Sequence, residues 1–576
     1  MRRILRPTVR AALLTAAAAI VAVAAFAPLR GASLKFYRDD PLAREPESAD
    51  AAHVARQQID LLPDLMLNLF VPPGDLEKNV RARDINTIDE VPDSSWFTNR
   101  IYAQPLTVED VTRGPNADPG PAPGRWTITA AKVVGFAPGF TMRDSRGVTW
   151  FVEMDPKGYP HASTAAVAVA VRLFWALGYN QVESYLATFK RSDLDIDPKA
   201  TVSPRPWRKR ALRKSDLVRA FETAQREKDG SYRAFVGRLI PGKIVGPFKY
   251  FGTRVDDPND LVPHEHRRSL RALRVFGAWV NLNDMKAGNT LDSVVEENGR
   301  HRVVHYLQDV GSTFGAGGAG PREWDEGYEY VYQASPMVKR LVTIGFDLSP
   351  WQTIPYKVLP EVGRFEGDHF DPETWVPRIP TAAFLRARDD DNFWAALRVA
   401  AFTDEQVRAV VHTGEFEDPA AEKLLGDILI KRRDKIARAY LPKLTPLTRF
   451  ALANGTLTFE NAATQYAGLP EPDGGYRAEW FEFDNATGAT TRVIGETTSK
   501  TPSLVAPVGV PGLPAADGAF LKVALTAPDS KHPTWSHPVE VYFRRTAGAW
   551  TLVGVERLAD GAPGSSSPSS PLNTEK

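Results

Sequence analysis

"NLNDMKAGNTLD", residues 281–292, sets an acid, a base and an amide within six residues: Asp284, Lys286 and Asn289. The chain then reads "TLDSVV", an Asn298-Gly299 pair and "HRVVHYLQ". Two apolar-rich runs around Asn-Gly predict a tight hairpin. The second run leads into Asp309-Val310-Gly311, inside "HYLQDVGSTFG" at residues 305–315. A hairpin returns its end to its beginning, so the pattern predicts that Asp284, Asn289 and Asp309 meet around one divalent ion. Phosphoryl transfer from a nucleotide needs those groups: a carboxylate to orient the attacking hydroxyl, an amide and a second carboxylate for Mg²⁺, and cations on the phosphates.

Working outward, "RRSLRALRVFGAWVNLN" delivers the chain to this stretch as an amphipathic helix, with Leu270, Leu273, Phe276 and Val280 near helical spacing. Upstream, "RWTITAAKVVG", "GFTMRD" and "GVTWFVEMD" read as three short antiparallel strands separated by turns. "HASTAAVAVAVRLFWALGYN" follows as a helix that starts near Ser163 or Thr164 and stops at Gly178. "VESYLATFKR" returns as a strand, and the charged residues 192–230 are expected to form an inserted helical segment on the surface. Helical patterns dominate from about 335 to 442, and strand patterns return from "GGYRAEWFEF" onward.

At 576 residues the chain has room for one large body and accessory pieces. With 71 Lys and Arg against 70 Asp and Glu, no overall field draws it to nucleic acid, so any anion site is local. The absence of cysteine removes disulfides, lipid attachment through sulfur and thiol chemistry. Arg2, Arg3, Arg6 and Arg10 precede an apolar run over residues 11–27, the pattern of an export signal. As a helix that run spans roughly 25 Å, short for a bilayer core, which favours a cleaved signal over an anchor. The protein is therefore expected to be exported, periplasmic or anchored in the inner membrane, with any membrane or envelope association made through the N-terminus.

The order of strands, Ala-rich helix, D-x-K-x-x-N loop, hairpin and D-x-G resembles the protein-kinase-like superfamily, particularly its atypical members: HipA-like, CotH-like and secretory-pathway kinases. The resemblance covers residues 126–440. "EVPDSSWFTNR", "DDPND", "HEHRR" and "DVGSTFG" also resemble a group of uncharacterised exported bacterial proteins. The superfamily implies Asp284 as catalytic base, Lys286 at the γ-phosphate, and Asn289 and Asp309 as magnesium ligands, with ATP and a hydroxyl-bearing acceptor as substrates. It implies an α+β fold: a two-lobed body with a small antiparallel β lobe (126–250, including the charged insertion) and a helical lobe (251–445). A signal or anchor (1–28) and a leader with a Pro/Gly linker (29–125) precede it, and a small β domain (446–560) and a polar tail (561–576) follow.

Two positions depart from that pattern. The third strand, "WFVEMDP", has Glu153 where a phosphate-binding lysine is expected, and its charge repels phosphate. The helix "STAAVAVAV" carries no acid to pair with a lysine, so the usual Lys-Glu pair is missing, and Lys132 or Lys157 is left to reach the phosphates. The rival reading is a pseudokinase or envelope scaffold, and a metal-dependent hydrolase ranks third. His264, Glu265 and His266 lack the spacing of a helical zinc motif and read as structural. His301 and His305 read as cross-strand packing. "DSSWFTNR" has no nucleophile elbow, so Trp96 and Phe97 are expected to plug the leader onto the main body.

Overall fold

A computed structural model of the chain describes residues 34–132, 137–205, 208–346, 349–508 and 512–558. The expected signal or anchor (1–28) and polar tail (561–576) lie outside the described residues. No described helix is long and apolar enough to cross a membrane. The fold is mixed α+β.

The first described residues hold helix α1 (Leu61–Phe70), which starts at Asp60, whose carboxylate accepts the Leu62 amide. A seven-stranded sheet follows, from β1 (Trp126–Ala131), β2 (Gly139–Arg143), β3 (Thr149–Met154), β4 (Ser184–Phe189), β5 (Leu194–Arg205), β6 (Arg208–Ala211) and β7 (Tyr232–Arg238), in the order β4-β7-β3-β2-β1-β5-β6. β1, β2 and β3 form the expected antiparallel meander. Alternate residues bury Trp126 and Ile128, Phe140 and Met142, and Trp150 and Val152 on one face. Helix α2 (Ala162–Leu177) packs on this sheet. Buried Asp155 caps it by accepting the Ser163 and Thr164 amides at 3.0 and 2.8 Å, and Gly178 at φ 123° ends it.

Residues 192–230 depart from the expected helical insertion. β5 joins β1 in parallel, β6 forms the sheet edge, and among the described residues here α3 (Lys214–Thr223) is the one α-helix. Ala200 and Val202 of β5 are buried while charged neighbours such as Asp195 and Lys199 face water, and that dense charge hides the two-residue period.

β8 (Lys243–Gly246), β9 (Thr290–Glu297) and β10 (Arg300–Leu307) make a second sheet, in the order β10-β9-β8. Helix α4 (Leu273–Val280) is buried along its whole length, and α6 (Asp389–Ala400) and α7 (Pro419–Tyr440) pack around it. Between them in sequence lies α5 (Ala334–Val342). Strands from Leu447–Ala453 to Ala549–Glu556 then build a three-stranded and a five-stranded sheet around Trp480, Trp535 and Phe543. The start of the described chain returns to these strands: Phe36 packs against Phe483, Phe520 and Tyr542.

A buried polar network locks residues 84–100 onto the region between β8 and α4. Trp96 stacks on His305 (ring centroids 3.5 Å apart, 12° between planes), and the Arg267 guanidinium lies over its ring at 4.6 Å. His305 bonds Asp292 at 2.8 Å, Asp292 pairs with Arg254 at 3.0 Å, and His264 bonds Asp260 at 2.8 Å. The histidines therefore have the structural roles expected of them. His305 does more than pack, because its ring ties the hairpin to Trp96. Arg268 is fully buried among Asp89, Asp390 and Asp391. In this network Arg254, Arg267 and Arg268 each have a carboxylate partner, as burial demands.

Candidate functional site

The loop after α4 is shaped by alternation. Leu282, Met285 and Ala287 turn inward and are buried, so Asp284 and Lys286 face outward. Asn281 allows the sharp exit from α4 by taking a left-handed conformation (φ 57°, ψ 46°), and its side-chain oxygen accepts the Trp375 indole N–H at 2.7 Å. Lys286 Nζ donates to Asp284 Oδ2 at 2.6 Å. Asn289 Nδ2 donates to the Asp284 carbonyl at 2.7 Å, which fixes the amide plane and leaves Oδ1 without a hydrogen bond among the described residues.

β9 and β10 pair in register from Thr290↔Leu307 to Glu297↔Arg300. The turn uses Asn298 at φ 53° and Gly299 at φ 75°, the left-handed pair that Asn-Gly supplies at low strain. The amides of Gln308 and Asp309 consequently both donate to the Asn289 carbonyl at 3.1 Å. Two stretches twenty residues apart are held together by these bonds. Asp309 Oδ1 accepts the Gly311 amide at 3.1 Å, while the residue itself is exposed. Gly311 is required here: a Cβ would stand 2.7 Å from Val167 Cγ2 of α2. Gly318 sits as tightly against Ala137, just before β2, where a Cβ would lie 2.6 Å from the Ala137 nitrogen.

Lys132, at the end of β1, forms an ion pair with Glu153 of β3 across the end of β2. This corrects the sequence reading. Glu153 is neutralised by Lys132, and a Lys-Glu pair exists, built from two strands instead of a strand and a helix. The pair faces Asp309. Asp309 is exposed on its open side, yet the protein crowded behind it is the largest influence on its carboxyl and pushes its pKa above the usual carboxylate range; the negative charges of Glu153 and Asp284 push the same way, while the Gly311 amide and Lys132 oppose them. Asp284, Glu153, Asp309, Lys132 and Lys286 thus share one electrostatic neighbourhood. Lys157 does not join it. That residue is exposed, its amide donates to the Thr223 carbonyl at 2.9 Å, and its side chain has no ion pair among the described residues.

One contributor escaped the sequence reading. Leu61 of α1 rests on Gly288, where a Cβ would lie 3.2 Å from Leu61 Cδ2, so α1 backs the loop that carries Asp284 and Asn289. Buried Asp64 faces the same loop; burial pushes its carboxyl up, and the Lys249 charge and the Ala287 amide pull it down. Tyr250 has Asp284 and Asp64 near it, and its hydroxyl is pushed up by burial first and then by those two charges. The available signal was Asp64 and Asn68, polar residues at helical spacing in the apolar run "LLPDLMLNLF".

The donor set suits a hard divalent cation, which takes oxygen ligands. Asn289 Oδ1 and the second Asp309 oxygen carry no hydrogen bond among the described residues, and the crowded carboxylates are of the kind that a bound cation relieves. The set is two carboxylates and an amide. Among the described residues no three His, Asp or Glu side chains are grouped to hold a metal by themselves.

No family model matches the chain, and no curated protein matches it. Among the solved structures similar to this chain are two at 10% identity. One is the Golgi casein kinase with Mn/ADP bound, at a TM-score of 0.28, covering 57% of this chain and 76% of that one. The other is the Golgi casein kinase, at a TM-score of 0.27, covering 69% of this chain and 96% of that one. Both TM-scores are low, and the function proposed below stands on this chain's own residues.

Proposed function

We propose that the protein is an exported kinase-like enzyme that transfers the γ-phosphoryl group of ATP to a hydroxyl. The seven-stranded sheet with α2 serves as the small lobe, the helices from α4 to α7 serve as the large one, and the nucleotide lies between them. The reading is supported above all by one observation: the Asn289 carbonyl accepts both the Gln308 and Asp309 amides, so the two candidate magnesium ligands sit beside each other and beside Asp284.

Asp284 orients the acceptor hydroxyl and takes its proton as the new oxygen–phosphorus bond forms and the bond to the β-phosphate bridging oxygen breaks. ADP leaves. Lys286 is paired with Asp284 in the structure and swings to the γ-phosphate when nucleotide enters. Lys132, steered by Glu153, contacts the other phosphates. Asn289 Oδ1 and Asp309 hold Mg²⁺, which when bound offsets phosphate charge.

The test is Asp284→Ala. Formation of ADP from Mg-ATP, with the protein's own hydroxyls or water as acceptor, is expected to vanish in the variant while its circular dichroism and melting temperature stay at wild-type values. Equal ADP formation by the two proteins would remove the catalytic reading. A second reading, a pseudokinase that keeps the cleft as a docking surface, draws on the Lys286–Asp284 ion pair, which occupies the base. No change in melting temperature with any nucleotide or divalent cation would favour it.

A further inference from the structure

Helix α5 is turned the wrong way for a globular protein. None of its residues is buried, and its apolar side chains point to water, with Leu341 78% exposed and Phe346, just past its end, 88% exposed. Its polar side faces the protein: Arg340 pairs with Glu329, which also accepts the Trp351 indole N–H at 2.7 Å. A helix held by its charged face and offering its apolar face outward has no internal reason for that orientation. The apolar surface continues onto α1, because Phe70 meets Tyr332 with ring centroids 4.6 Å apart, and Leu62 and Met66 of α1 are exposed beside it.

We propose that this face docks on the surface of an anionic lipid bilayer. Charge and composition select that occupant. Residues 331–358 carry Lys339 and Lys357, besides Arg340, whose charge Glu329 already meets, against the single acid Asp347, and include Tyr332, Trp351 and Tyr356. Basic residues flanking an apolar helix face, with Trp and Tyr at its rim, are the make-up of interfacial helices on negatively charged headgroups. The N-terminal arginines and apolar run have the pattern of an export signal, which would bring the chain to a membrane surface during export. The docking is independent of catalysis, although Leu61 on Gly288 puts one edge of the face against the loop that carries Asp284.

The chain has no cysteine, so a single introduced thiol carries a probe at one known place. Full-length Leu341→Cys and Phe346→Cys proteins, and Val508→Cys as a similarly exposed control in the loop that follows the strand Ser503–Val505, are labelled with a polarity-sensitive fluorophore. They are then mixed with vesicles of phosphatidylcholine and phosphatidylglycerol that contain a nitroxide-labelled lipid. Quenching is expected at the first two sites and not at the control. The partition coefficient is expected to fall about tenfold or more when phosphatidylglycerol is left out. Equal quenching at all three sites would mean that the N-terminal segment alone tethers the protein, and would overturn the proposal. So would quenching at none, or probe burial that grows with protein concentration without lipid, the mark of a second copy on this face.

Discussion

Replacing Asp309 by asparagine is expected to move stability in opposite directions with and without ligand. Asp284, Glu153 and Asp309 face Lys132 and Lys286, a formal charge of −1. Without metal, Asp309 sits in a field that disfavours its charge, so Asp309→Asn removes repulsion and raises the melting temperature above wild type. With Mg-ATP the order reverses. A unit charge about 4 Å from its partner at an effective dielectric of about 20 contributes ~4 kcal/mol. Losing it weakens binding by about 1,000-fold. At a ligand concentration about a hundredfold above the wild-type Kd, binding stabilises the wild type by about 2.7 kcal/mol, while the variant, then at about a tenth of its own Kd, gains less than ~0.1 kcal/mol. Thermal unfolding followed by tryptophan fluorescence, with and without Mg-ATP, reads both effects. A variant less stable than wild type in metal-free buffer, or one that keeps the full Mg-ATP shift, would refute the placement of Asp309 as a metal ligand among crowded carboxylates.

Arg268→Met is expected to cost about 3–5 kcal/mol in denaturant unfolding, because it leaves Asp89, Asp390 and Asp391 buried with one cation fewer; a loss below about 1 kcal/mol would show that the network reorganises around the gap. His161 is held at φ 62°, and its pKa is pushed down to about 4, by burial first and then by the Arg233 charge. Glu227 and Glu361, each 3.8 Å from its ring, and the nearby Glu415 and Glu417 do not reverse that push. The folded state therefore resists protonation that the unfolded state accepts near pH 6.5, so this histidine's share of stability is whole above that pH and is lost as pH falls towards about 4. His161→Asn, which suits the left-handed backbone, should flatten the dependence of melting temperature on pH across that window; an unchanged slope would refute it.

The central hairpin was legible in the sequence because its causes are local. Alternation, an Asn-Gly turn and matched arm lengths specify a register without reference to the rest of the chain, and that register brings Asp309 to Asn289. Helix α2, with its glycine stop, and the β1–β3 meander were legible for the same reason. Lys132 and Glu153 were misread because their pairing depends on strand order. They lie on β1 and β3, brought together by the end of β2, and nothing near either residue states that order. β5 was hidden because its partner is β1, far back in the chain, and its dense charge masks the alternation that marks a strand. The support that α1 gives the loop, through Leu61 and Asp64, likewise joins residues more than two hundred positions apart. By itself the sequence picked out Asp284, Asn289 and Asp309 as candidates and the one hairpin that brings Asp309 to Asn289, since short-range backbone preference suffices for that. The tertiary structure alone decided the charge those groups experience, because a side chain's field is set by whatever packs around it, and that includes residues from every part of the chain.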